Sequence, residues 1–133
     1  MADVKWNDVL TYVKSKYNVV SETPVAFQVE VVIPGSNRKQ RISARYWIST
    51  KDKKFEYIDF YSAFANSLSD IESVLTSLSG KVFGGLVKIN KEYCVRNTLP
   101  ITDLVGIQID MIFEFIGLIA DELEKSISQT DEK

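Results

Sequence analysis

Asp110 and Glu114 stand four residues apart in a segment with helical periodicity. That spacing places two carboxylates on one helix face, where they can share a metal ion or a proton. Helical metal sites built on such pairs also recruit a Glu-x-x-His motif, and this chain contains no histidine. Its absence removes Ser-His-Asp and Cys-His nucleophiles and the histidine-ligated zinc and iron sites. The pair therefore reads as a solvent-facing stripe. Glu56, Asp59 and Asp70 lie near aromatic residues but show no catalytic spacing. Cys94, the one cysteine, sits in a strand pattern between Tyr93 and Val95 and reads as a buried, unreactive thiol. Gly84-Gly85 precedes a strand rather than a helix and lacks the Gly-Lys-Ser/Thr of a phosphate loop, so it reads as a bend. We expect no catalytic residue, no cofactor and no metal.

The basic residues are distributed less evenly. Arg38, Lys39, Arg41, Arg45, Lys51, Lys53 and Lys54 make up seven of the sixteen lysines and arginines, with Asp52 as the acidic residue among them. Arg41, Arg45 and Trp47 fall on one face of a strand and form the candidate interaction surface. A cationic face with an exposed aromatic can hold a phosphate backbone and stack a base. It can also dock an acidic protein partner. The plainest reading is a solvated hairpin whose charges discourage edge-to-edge aggregation.

The elements that position these residues follow from periodicity. Trp6, Val9, Leu10, Val13 and Tyr17 give one apolar stripe on a helix over about residues 3–17, with Asp3 as N-cap. Alternation predicts strands over 25–33 and 41–48, an aromatic strand over 55–64, and two further strands over 86–89 and 93–99. In the second strand Ile42, Ala44, Tyr46 and Ile48 form the covered face. Asn90-Lys91 supplies a hairpin turn, and Pro100 stops the last strand. Ser69-Asp70-Ile71-Glu72 matches a capping box for a short helix that ends at Gly80, where φ > 0 is expected. Thr102 or Asp103 caps a last helix running to about Ser126. Its middle, Ile107 to Ile119, is apolar almost all the way round, more than one sheet face can cover. The order is α-β-β-β-α-β-β-α, an α+β fold with an antiparallel five-stranded sheet packed with helices.

Composition sets the outer bounds. The chain has 133 residues, of which 45% are hydrophobic and 26% charged, the balance of one ordinary globular domain. We expect a single domain over 1–127 and a frayed polar tail over 128–133. A net charge of −2 offers no global attraction to nucleic acid or anionic lipid. Charges from residue 3 onward argue against a signal peptide, and the longest apolar run, Met111 to Ala120 broken by Glu114, is too short for a membrane span. The expected location is cytoplasmic.

The element order, and the passage from Tyr93 through Arg96, Leu99-Pro100 and Leu104 to Asp121, Glu122 and Glu124, resemble the YbjN-like bacterial family. That family shares the type III secretion chaperone-like fold. The resemblance implies a small bacterial protein without enzymatic activity, often a homodimer, which binds other polypeptides. It supplies no site residues. The expected function is thus a non-enzymatic protein-binding module, chaperone-like or a regulatory adaptor. The alternative is a nucleic-acid-binding regulator using the basic hairpin 38–54.

Overall fold

The computed structural model describes residues 4–48, 55–81, 85–102, 104 and 106–131. Over these residues the chain is an α+β protein with three helices and six strands. These are α1 (Trp6–Lys16), β1 (Asn18–Thr23), β2 (Ala26–Val32), β3 (Lys39–Ile48), β4 (Glu56–Ala65), α2 (Ile71–Ser79), β5 (Gly85–Ile89), β6 (Glu92–Pro100) and α3 (Gly106–Asp131). The strands form one antiparallel sheet in the order β1-β2-β3-β4-β6-β5. Helix α2 carries the chain past one sheet position, so β5 lies at the edge and β6 returns beside β4. Among the described residues, no helix is long and apolar enough to cross a membrane.

The sheet thus has six strands where the sequence predicts five. The additional strand, Asn18–Thr23, pairs with β2 through a bulge between Val19 and Ser21. It is an edge strand with most positions exposed, and a strand that covers no core shows no apolar alternation. The Asn90–Lys91 turn is as predicted, with both residues at positive φ (49° and 70°), the backbone of a two-residue hairpin whose twist matches its strands.

Helix ends depart from the sequence reading in three places. Asp70, not Ser69, caps α2: its Oδ1 accepts the Ser73 N–H at 3.0 Å. Gly80 ends that helix at φ −88°, outside the left-handed region. Helix α3 begins at Gly106 and continues to Asp131 rather than Ser126. Thr102 therefore sits four residues upstream of the helix, and Asp103, like Asp3 before α1, lies outside the described residues. Gly106 has a packing reason to be glycine, because a Cβ there would stand 2.5 Å from the Tyr12 ring.

All three helices pack on one face of the sheet. The main core joins Trp6, Val9 and Val13 of α1 to Phe27, Ile42, Ile58 and Phe60 of the sheet and to Ile109, Phe113 and Ile116 of α3. Trp6 lies against Phe27 with ring centroids 5.3 Å apart, and Phe113 meets Phe60 edge-on at 5.6 Å. A second cluster under α2 gathers Phe64, Val74, Leu78, Val95, Ile119 and Leu123. Each fully buried large apolar side chain contributes about 1.5–3 kcal/mol. Helix α3 crosses the middle of the sheet with α1 and α2 on either side, which explains its nearly complete apolar circumference. What remains faces outward.

Candidate functional site

Among the described residues the opposite face of the sheet carries no helix, and there β3 and β4 build a polar cluster. Their register sets Arg45 opposite Asp59 and Trp47 opposite Tyr57. Arg45 Nη2 donates to Asp59 Oδ2 at 2.9 Å, and Trp47 Nε1 donates to the same oxygen at 3.0 Å. The Thr98 hydroxyl donates to Asp59 Oδ1, and Arg96 Nε lies 4.0 Å from that oxygen. The Arg45 guanidinium sits 5.0 Å from the Trp47 ring and 4.8 Å from the Tyr61 ring, a cation held between two π faces. Asp59 is only 3% exposed although it stands on the uncovered face. Its neighbours shield it.

Two of the three sequence-predicted surface residues are thus brought together. Trp47 is 48% exposed and lies on the face opposite the helices, as the strand alternation predicts. Arg41 is on the same face, 3.6 Å from Glu30, a carboxylate that it shares with Lys39 at 3.5 Å. Arg38 leaves the group and turns to Asp121 of α3. Lys51, Lys53 and Lys54 lie outside the described residues. Arg38, Lys39, Arg41 and Arg45 therefore each face a carboxylate, which cancels much of the field that a phosphate backbone would feel. Sequence reasoning missed Asp59 as the hub. The available signal was parity: Asp59 pairs across from Arg45 and shares its face with Trp47.

A second polar cluster forms where α1 meets α3. Asp110 Oδ2 accepts the Tyr12 hydroxyl at 2.8 Å and Lys16 Nζ at 2.6 Å, and Oδ1 accepts the Tyr17 hydroxyl at 2.5 Å. Of the pair read as a solvent-facing stripe, Glu114 is exposed, whereas Asp110 is half-buried and anchors two donors of α1 and one from its C-cap Tyr17. Burial pushes the Asp110 carboxyl up, but the bonds from Lys16, Tyr17 and Tyr12 pull it down further, and it ends below its ordinary value. Tyr17 moves up through burial and its bond to Asp110, and Tyr12 moves up chiefly through its own bond. Both hydroxyls stay protonated and the carboxylate stays ionised, so the cluster is a structural tie. Burial likewise raises the Cys94 thiol, which disfavours the thiolate.

The helix layer presents a third feature. Ile107, Met111 and Phe115 of α3 are between 40% and 69% exposed. Their spacing of four residues lines them along the side of α3 turned away from the sheet. Ile71 and Leu75 of α2 are exposed in the same way, while Val74 and Leu78 of that helix are buried.

No family model, no curated protein and no solved structure matches this chain.

Proposed function

We propose that the domain is a non-enzymatic protein-binding module, chaperone-like or a regulatory adaptor, which works as a homodimer. The observation that carries this reading is the outward stripe of Ile107, Met111 and Phe115 on α3, with Ile71 and Leu75 of α2 exposed as well. Apolar side chains at helical spacing, left partly exposed by their own fold, suit burial against another polypeptide, at about 25 cal/mol per Å² of apolar area. The first such polypeptide is a second copy of the chain.

The test is sedimentation equilibrium at micromolar concentration on the native chain and on Met111→Glu/Phe115→Glu. A dimer that the double substitution converts to a folded monomer supports the reading. A native chain that is monomeric at every concentration removes its main support.

The alternative, a nucleic-acid-binding regulator, draws on the exposure of Trp47 beside Arg45 on the open sheet face. Against it stands the pairing of each described cation of the 38–54 hairpin with a carboxylate.

A further inference from the structure

Strand β1 is shorter than the strand it pairs with. The β1–β2 register ends at Asn18 opposite Glu30, whereas β2 continues along β3 to Val32 opposite Lys39. Two hydrogen bonds fix the phase of the β2–β3 ladder: Tyr46 N–H to the Val25 carbonyl at 2.8 Å, and Ile33 N–H to the Arg38 carbonyl at 2.9 Å. Odd-numbered residues of β2 therefore turn their backbone groups toward β3, and even-numbered residues turn theirs toward β1. At Val32 that direction holds no strand. Its N–H and C=O point into open space beyond the end of β1, and Val32 is 62% exposed.

That space is a groove of about 570 Å³. Tyr17 and Asn18 close one end, the half-buried Val31 lies on its wall, and Ile33 and Phe113 are buried behind it. Asp110, Glu114 and Lys16 lie along the helix side. Lys16 is bound to Asp110 at 2.6 Å, while Glu114 meets no cation within ion-pair distance among the described residues. The helix side thus carries one surplus negative charge. Glu30, at the rim, already faces Lys39 and Arg41.

We propose that this groove binds an extended peptide segment carrying a basic side chain, which adds to the sheet at Val32 where β1 leaves β2 bare. A residue set opposite Val32 exchanges both backbone hydrogen bonds with it and turns its own side chain to the open face. Its two neighbours point the other way, toward α3. One lies against Val31 and the Tyr17 ring. The other, a lysine or arginine, reaches Glu114. This site is separate from the α3 stripe and does not depend on it.

The experiment uses the full chain, labelled with ¹⁵N, and the capped peptide acetyl-Thr-Lys-Thr-Val-Thr-amide. Saturable shifts are expected at the Val32 amide and its neighbours in β2. A peptide N-methylated at the central threonine should not bind, because it lacks the donor that pairs with Val32. Glu114→Gln should weaken the lysine peptide about two- to fivefold, the worth of one surface ion pair. Replacing the peptide's lysine by glutamate should weaken binding at least as much. Val32→Pro removes the outward N–H without breaking a β2–β3 bond and should abolish the shifts at the neighbouring β2 amides. Met111→Ser/Phe115→Ser, which adds no charge beside Glu114, should leave peptide binding unchanged, which separates this site from the dimer surface. Three results overturn the proposal: no shift at millimolar peptide, equal binding by the N-methylated peptide, or Val32 shifts that grow with protein concentration alone. The last would mean that a second copy fills the groove.

Discussion

The Arg38 guanidinium clasps the Asp121 carboxylate with two donors, Nε to Oδ1 at 3.0 Å and Nη2 to Oδ2 at 2.8 Å, joining the β2–β3 connection to α3 across 83 positions of sequence. Arg38 holds the Asp121 carboxyl below its ordinary value, outweighing the opposing effect of burial. A carboxylate with a lowered folded pKa adds stability above its unfolded value of about 3.9 and loses it as pH falls through the folded value. Arg38→Ala should therefore lower stability at neutral pH and flatten the acid limb below about pH 4. Urea midpoints measured from pH 7 to pH 2 check this, and an unchanged acid limb would count against the clasp.

Asp59→Ala should cost about 2 kcal/mol or more, because it strands Arg45 and Trp47 without their shared acceptor. Arg45 Nε is already buried without a partner among the described residues, so the guanidinium depends on Asp59 for its remaining bond. Tryptophan fluorescence should report a changed environment for Trp47 in the folded variant. Unchanged stability and emission would show that the cluster is decorative.

The cap of α2 offers a contrast between neighbours. Asp70→Ala should destabilise by about 1 kcal/mol, the usual cost of losing an N-cap acceptor. Ser69→Ala should stay within about 0.5 kcal/mol, as for most surface substitutions. The reverse order in urea titrations would restore Ser69 as the cap.

Phe60→Ala tests the core beneath α3. Phe60 is fully buried and meets Phe113 edge-on, so removing its ring should cost about 3–5 kcal/mol. Domains of this kind have about 5–15 kcal/mol of stability in all. The variant should therefore unfold at much lower urea or fail to fold near 37 °C, as circular dichroism would show.

These particulars also show what a sequence can carry. The α+β architecture was legible because the buried faces of β2, β3 and β4 alternate, with Phe27, Val29, Ile42 and Ala44 on the helix side and Trp47 on the other. Strand β1 was not, since it buries too little to leave a pattern. The α2 helix was read at the right place, but its cap shifted by one residue, because Ser69 and Asp70 are both good acceptors and local sequence does not choose between them. The Asp110 cluster was beyond reach: its donors are two residues of α1 and its C-cap Tyr17, 93 to 98 residues away, and only the packing of α1 on α3 unites them. Asp59 was half legible. Parity placed it beside Trp47, but its burial arises from side chains on neighbouring strands.

Cys94 lies on β6, between β4 and β5, with its side chain on the face opposite the three described helices, and it is buried all the same. As the chain's one thiol, it makes the protein its own chemical clock. A thiol reagent has a single target, and that target becomes reachable when the strands and side chains around it part. If reclosing outpaces labelling, the rate of modification reports how often the β4–β6–β5 end of the sheet stands open. Comparing that rate with global unfolding under the same conditions would tell whether this edge opens on its own or only with the whole domain.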